Sequence, residues 1–181
     1  MKATHRYLLV IKPSPEVSAA VSALRERLFA RIGSFGGLKV IPHITLFFAD
    51  LDLEAAEPIM DAIDSGITGQ QTFDLRYKGI THFPDKHTIY IDPLEKEAIA
   101  AMRGPIIQAL NDQSALRDHI RETDHPHLSI AAGLKPAQFD EAWSTLAPHD
   151  FSAAHRVGEV LLLRRELSSG AAYVELRSFA G

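Results

Sequence analysis

Two histidines in this sequence each stand two positions before a hydroxyl side chain, within similar apolar segments. Residues 42–48 read Pro-His-Ile-Thr-Leu-Phe-Phe, and residues 126–130 read Pro-His-Leu-Ser-Ile. The two histidines, His43 and His127, are 84 positions apart in a chain of 181 residues. Imidazole titrates near neutral pH and acts as an acid or a base, and a hydroxyl donates hydrogen bonds to anions. The recurrence therefore predicts one site built from two equivalent segments.

Both segments have the composition of short strands. Apolar and β-branched residues follow a proline, which is tolerated at the first position of a strand. Side chains alternate between the two faces of a strand, so His43 and Thr45 share one face, and His127 and Ser129 do the same. Each strand is expected to bury its apolar face and to present an imidazole beside a hydroxyl on the other.

The two His-x-Thr/Ser-hydrophobic tetrads, residues 43–46 and 127–130, resemble the two-histidine (2H) phosphoesterase superfamily. That group includes the RNA 2′,3′-cyclic phosphodiesterases, also called 2′-5′ RNA ligases. The resemblance extends to the segments at residues 79–84 and 159–176, and so covers nearly the whole chain. It implies an α+β fold of two lobes, with antiparallel sheets lining a central groove and helices outside.

The resemblance also implies roles for the four tetrad residues. His43 would protonate the departing ribose oxygen, and His127 would remove a proton from water. Thr45 and Ser129 would donate hydrogen bonds to the phosphate oxygens, where negative charge gathers in the transition state. The implied substrate is a nucleotide or RNA end with a 2′,3′-cyclic or 2′-5′-linked phosphodiester. Proton transfer between two imidazoles needs no metal, so neither a metal nor another cofactor is expected.

Three alternatives to hydrolysis without a metal remain open. His125 and His127 lie on one strand face and permit a metal site with His43, although no Asp or Glu completes an evident zinc set. A nucleotide- or RNA-binding module would not need two opposed titrating groups. A 2′-5′ RNA ligase would be expected to carry a long basic track or an ATP motif. The remaining histidines are predicted to be surface residues: His5, His82, His87, His119, His149 and His155.

Contacts to the rest of a substrate are predicted from position alone. Phe48 and Phe83 are candidates for stacking on the base, with packing in the core as the alternative for each. Lys39, Lys86 and Arg164 are candidate cations at the border of the groove, with ordinary solvation as the alternative.

Composition limits the classes of partner and compartment. The chain has 19 Lys and Arg against 23 Asp and Glu, for a formal charge of −4, and no dense basic run. This balance argues against long RNA or DNA held through its phosphates. The absence of cysteine excludes disulfides and thiolate chemistry. The N-terminal apolar run at 7–11 is too short for a signal peptide, and no membrane span is evident. We therefore expect a cytoplasmic protein with no membrane partner.

The elements that position the tetrads follow the same order in both halves. The first half reads as strand, helix, tetrad strand, helix and strand, at residues 7–11, 15–32, 39–49, 53–63 and 71–80. The second half reads as strand, helix, loop, tetrad strand and helix, at residues 88–92, 99–110, 111–124, 126–130 and 139–146. A final hairpin follows, with strands at 157–166 and 171–179. A kink or break is predicted at Gly104-Pro105 in the helix 99–110.

The first strands, counted from residues 7 and 88, are offset by 81 residues; the tetrad histidines at 43 and 127 by 84; and the helices that follow, counted from 53 and 136, by 83. These nearly equal offsets indicate an internal duplication. We expect a single bilobal domain over residues 1–181, with lobes at about 1–84 and 85–181 and scope for exchange of terminal strands. A pseudo-two-fold axis between such lobes would bring the two tetrads face to face across a cleft. No helix shows an unmatched apolar face, which favours a monomer.

Overall fold

The computed structural model describes residues 3–181, which form four α-helices and nine β-strands. The helices are α1 (Pro15–Ile32), α2 (Ala56–Ile67), α3 (Lys96–Asn111) and α4 (Pro136–Leu146). The strands are β1 (His5–Ile11), β2 (Ile44–Leu51), β3 (Phe73–His82), β4 (Ile89–Pro93), β5 (Ile120–Glu122), β6 (Leu128–Ala131), β7 (Ser152–Val157), β8 (Glu159–Glu166) and β9 (Val174–Ala180). No helix within residues 3–181 is long and apolar enough to cross a membrane.

All nine strands belong to one antiparallel sheet with the order β7-β3-β4-β6-β2-β1-β8-β9, and β5 lies beside β2. The predicted α+β class with antiparallel strands is confirmed. The tetrad strands β2 and β6 are neighbours at the centre of the sheet. They are flanked by β1 and β4, which correspond to each other in the duplication. The two halves of the chain therefore meet along the tetrads.

The halves are also interleaved at the outer strands. Strand β3 follows the helices of the first half but pairs with β4 and β7 of the second. Strand β8 belongs to the second half but pairs with β1 of the first, and β9 then pairs with β8. Each half thus supplies strands to the part of the sheet built around the other.

Helices cover one face of the sheet and enclose the main core. α1 packs on α4, and α2 packs on α3. The start of α1 follows from its sequence, because the Ser14 hydroxyl accepts a hydrogen bond from the Val17 amide and Pro15 occupies the first turn. Gly33, with a φ of 71°, ends the helix.

The α2–α3 crossing depends on one glycine. A Cβ at Gly66 would lie 2.4 Å from the Ile106 Cα, so no larger residue fits at this crossing. α3 runs unbroken through Gly104 and Pro105, so the predicted break does not occur. Packing against α2 holds this helix together, and the proline lies on an exposed side.

The sequence-based prediction missed two strands. β5, with the short 3₁₀ turn Arg117–His119, occupies part of the predicted loop 111–124. β7 precedes the predicted terminal hairpin and pairs along the edge of β3. β5 has only three residues and β7 has a single buried residue, Val157, so both lack the apolar alternation that marks the others.

Candidate active site

The tetrad residues lie on the sheet face opposite the helices. Ile44 and Leu128 are fully buried in the core and pair with each other across β2 and β6. Extending this antiparallel register by one residue in each direction sets His43 opposite Ser129 and Thr45 opposite His127. Residues directly opposite in a ladder have side chains close together on one face. The four side chains therefore form a quartet in which each imidazole faces the hydroxyl of the other tetrad.

Backbone carbonyls fix the tautomers of both histidines. The Nδ1 of His43 lies 2.7 Å from the Ile41 carbonyl oxygen, and the Nδ1 of His127 lies 2.8 Å from the His125 carbonyl oxygen. A carbonyl oxygen can only accept a hydrogen bond, so each Nδ1 must carry the hydrogen. The arrangement is the same in both tetrads, and it leaves the Nε2 of each ring available to a substrate.

The surroundings lower the pKa of both imidazoles. Burial is the largest cause for each, because it disfavours the charged form. The charges of Arg25 and His127 lower the pKa of His43 further, and His125 does the same for His127. The backbone hydrogen bonds oppose these effects. Both rings therefore favour the neutral form more than an ordinary histidine does until an anion binds between them.

Arg25 connects the two tetrad segments from the helix-covered side of the sheet. This α1 residue is 4% exposed, and its guanidinium donates to the carbonyl oxygens of Val40, Ser129 and Ile130 at 2.5, 2.9 and 3.1 Å. Burial lowers the pKa of Arg25 to about 10, so it stays charged at neutral pH. Sequence reasoning missed this residue. Its position next to Leu24, on the side of α1 that carries the buried apolar residues, could have indicated that the arginine is buried.

Aromatic rings surround His127 on the second-half side of the quartet. The ring centroids of Phe83 and Tyr90 lie 5.0 and 5.3 Å from that of His127. Tyr90 pairs with Ser129 across β4 and β6, so it shares the face of the quartet. Phe83 was a sequence-based candidate for base stacking, and the structure brings it to His127. Tyr90 was missed, although strand alternation places it on the face opposite that of Ile89 and Ile91, whose side chains are in the main core.

Phe48 reaches the quartet face only because β2 contains a bulge. Strict alternation from His43 would direct position 48 towards the core. The register with β1 shifts between Thr45 and Phe47, which pair with Val10 and Leu9. After the shift, Phe48 packs beside Leu8 in a small apolar cluster separate from the main core.

The three candidate cations have different locations. Lys39 lies at the mouth of a cavity beside the loop that precedes His43. Arg164 pairs with Tyr7, whose side chain is in the main core, so Arg164 lies on the helix-covered face and away from the quartet. Its neighbour Arg165 faces the cavity instead. Lys86 stands 5.7 Å from the Phe139 ring centroid and lines a different cavity, which no tetrad residue borders.

The other histidines are not all surface residues. His82 packs edge-on against Phe139 and Trp143. His155 stacks on Tyr77, and both of its ring nitrogens are buried without a hydrogen-bond partner in the part of the chain that the structure describes. Burial lowers the pKa of His155.

The metal alternative rested on His125, His127 and His43. The Nε2 of His125 lies 3.9 Å from an Asp92 carboxylate oxygen. Within residues 3–181, no group of three or more His, Asp or Glu side chains is arranged to hold a metal ion.

Comparisons with known proteins agree with this architecture. The sequence matches the family model of the 2′-5′ RNA ligase superfamily over residues 13–168. The protein TT0787 of Thermus thermophilus has a TM-score of 0.73 at 18% identity, covering 97% of each chain. E. coli LigT in its apo form has a TM-score of 0.69 at 15% identity, covering 99% of this chain and 98% of that one. No curated protein sequence matches. At these identities the structural likeness establishes the fold alone.

Proposed function

The chain belongs to the 2′-5′ RNA ligase superfamily of 2H phosphoesterases, and from this we propose that it is a metal-independent phosphodiesterase. Its substrates are nucleotides or RNA ends that carry a 2′,3′-cyclic or a 2′-5′-linked phosphodiester. The observation that carries the proposal is the quartet, in which two imidazoles with the same fixed tautomer stand beside two hydroxyls on one sheet face. A site with this composition binds a phosphate and transfers protons on both sides of it.

In the proposed reaction, His127 in its neutral form removes a proton from water through Nε2. The water oxygen forms a bond to phosphorus, and the bond from phosphorus to the 3′ oxygen breaks. His43 in its charged form donates its Nε2 proton to that departing oxygen, which leaves a 2′-phosphate. Thr45 and Ser129 donate hydrogen bonds to the non-bridging oxygens, whose negative charge increases in the transition state. The histidine roles follow from the family resemblance.

Relatives support a nucleotide as the ligand. LigT has been solved in complex with 3′-AMP, with NADP+ and with ATP. The rings of Phe83, Tyr90 and Phe48 beside the quartet would accept a base or a ribose, since stacking tolerates any base. The family name also supports ligation as a second candidate. That reaction would use the same four residues, with a 5′-hydroxyl in place of water as the group that attacks the phosphate.

Phosphorus NMR of 2′,3′-cyclic AMP, GMP, CMP and UMP tests the proposal directly. The wild type is expected to form a 2′-phosphate with or without EDTA, and His43→Ala and His127→Ala should each reduce the rate by about a thousandfold. His87→Ala is the matched control, because this exposed histidine also bonds a backbone carbonyl through Nδ1 but lines another cavity. Melting temperatures establish that each variant is folded.

The other outcomes separate the alternatives. Turnover that survives either tetrad substitution contradicts the assigned chemistry, and turnover that EDTA abolishes favours the metal site. Binding of every cyclic nucleotide without turnover favours the binding module. Products joined to an added RNA with a 5′-hydroxyl end favour ligation over hydrolysis.

A further inference from the structure

A cavity of about 470 Å³ lies beside the quartet, between the loop that precedes His43 and the β8–β9 hairpin. One wall contains Ile41, whose carbonyl accepts a hydrogen bond from the His43 ring, so the cavity adjoins the loop that positions His43, although no tetrad residue lines it. This volume is within the range typical of small-molecule sites. The other lining residues are Lys39, Val40, Leu163, Arg165, Gly170, Ala171, Ala172, Tyr173 and Glu175.

Arg165 is the notable side chain in this cavity. Its Nε is buried and has no hydrogen-bond partner among residues 3–181. The nearby guanidinium of Arg6 is already held by Asp50 through two bonds of 2.7 Å. The Arg165 guanidinium instead lies 5.0 Å from the Tyr173 ring centroid, which orients it and leaves the buried Nε for another group. A buried, unpaired arginine donor is costly unless a ligand satisfies it.

The charges at the cavity favour an anion. Arg165 and Lys39 supply positive charge, and Lys39 is exposed at the mouth. Two carboxylates are near these cations. Glu175 lines the cavity and is paired with Lys12 at 3.5 Å, and Asp50, whose pKa is lowered mainly by Arg6 and also by Arg165, is paired with Arg6. The planar fork of arginine matches a phosphate in two-point contact, and the Tyr173 ring offers a face for a sugar or base. Phosphate beside an aromatic wall is the chemistry of a nucleotide.

We propose that this cavity binds a second phosphate of the substrate, adjacent to the phosphodiester held by the quartet, through Arg165 and Lys39. The inference rests on the proposed function and deepens it, because it identifies the preferred substrates. They are cyclic nucleotides that carry a further phosphate, either as a 5′-monophosphate or as the internucleotide linkage of an RNA end. A nucleoside cyclic phosphate alone would leave Arg165 unsatisfied.

Binding to the His127→Ala protein tests the subsite without turnover. The probes are adenosine 2′,3′-cyclic phosphate with and without a 5′-phosphate, measured by calorimetry. The added phosphate is expected to strengthen binding by about tenfold, and Arg165→Gln should reduce this gain to about twofold or less. Arg164→Gln is the matched control, since it removes the same group from the opposite face and should keep the gain. Lys39→Gln, on an exposed loop, should lose part of it.

Kinetics of the otherwise wild-type protein distinguish the two sources of the phosphate. A larger gain in kcat/KM from a 5′-linked second nucleotide than from a 5′-monophosphate identifies an RNA end as the preferred substrate, and equal gains identify the phosphate alone. Absence of hydrolysis with an intact, Arg165-dependent gain in binding would refute the proposed function but not the subsite. Retention of the full gain in both Arg165→Gln and Lys39→Gln would overturn the subsite.

Discussion

The pKa values of His43 and His127 are both lowered, mainly by burial, and this determines the pH dependence of catalysis. The acid must hold a proton and the base must have lost one, so both limbs of the bell-shaped profile move to lower pH. We expect kcat/KM for a 2′,3′-cyclic nucleotide to peak below about pH 6.5, the ordinary value for histidine. Initial rates measured across this range at constant ionic strength check the prediction.

The profile of kcat provides an internal control. A bound phosphate places negative charge between the two rings and raises both pKa values. The optimum of kcat, which reports on the complex, should therefore lie at higher pH than that of kcat/KM, which reports on the free enzyme. A kcat/KM optimum clearly above the ordinary histidine value would contradict this account.

Individual residues show which parts of the site could be predicted from the sequence and which could not. The spacing of the tetrads was sufficient to predict that His43 shares a face with Thr45, because strand alternation is local. Arg164 was a predicted cation of the groove, but the structure places Arg165 there instead, because the phase of β8 depends on its pairing with β1 at the other end of the chain. The position of Arg25 on the apolar side of α1 indicated burial, but its three acceptors are backbone carbonyls, which no side-chain pattern reveals.

At the scale of elements, Arg25 makes α1 the support of both tetrad segments. Arg25→Met removes the donors to three carbonyl oxygens and should lower the free energy of unfolding by about 3 kcal/mol. It also removes a charge that lowers the pKa of His43, so that pKa should rise. We expect kcat/KM to fall by about tenfold or more, because a displaced tetrad loses its alignment. Urea denaturation, NMR titration of the His43 ring and initial-rate kinetics measure the three effects.

Arg25→Lys separates charge from position. Lysine keeps the positive charge but cannot reproduce the planar fork, so the pKa of His43 should stay near its wild-type value while stability and kcat/KM still fall. A His43 titration that is unchanged in the Met variant would show that the Arg25 charge has no influence on this ring.

The crossing of α2 and α3 is a second test at this scale. Gly66→Ala places a methyl group against the backbone of Ile106, and the helices must separate to admit it. We expect the free energy of unfolding to fall by roughly 2 kcal/mol or more, despite the better helix propensity of alanine. Gly104→Ala is the control, because a Cβ there meets nothing within 4 Å. Urea midpoints that are equal for both variants would contradict the close crossing.

Elements with strong periodicity were predicted from sequence, and those defined by distant pairing were not. The four helices and the tetrad strands carry apolar stripes or alternation that local physics determines. β5 is defined by its pairing with three residues of β2, β7 by its pairing with β3 at one end of the sheet, and the bulge in β2 by its register with β1. Phe48 illustrates the consequence, since its orientation towards the quartet cannot be obtained by counting alternate residues.

At the scale of the whole molecule, the exchange of strands argues against independent lobes. A fragment of residues 1–84 would contain β3 without its partners β4 and β7, and β1 without its partner β8. Its helix α1 would also lose α4, against which it packs. Unpaired strand edges and uncovered apolar faces expose backbone and core to water. The duplication evident in the sequence is therefore expected to yield one cooperative unit.

We predict that the chain unfolds in a single transition and that neither fragment, 1–84 or 85–181, folds alone. Trp143, the single tryptophan of the chain, lies on α4 and reports by fluorescence on the α1–α4 side, whereas far-UV circular dichroism reports on all elements. Because the halves share strands, the two urea curves should coincide in midpoint and slope. Mixing the two fragments should restore the native spectrum, since each supplies strands that the other lacks. A fluorescence transition that precedes the loss of secondary structure, or a fragment that folds cooperatively alone, would mean that the lobes are independent and that the quartet forms only when they dock.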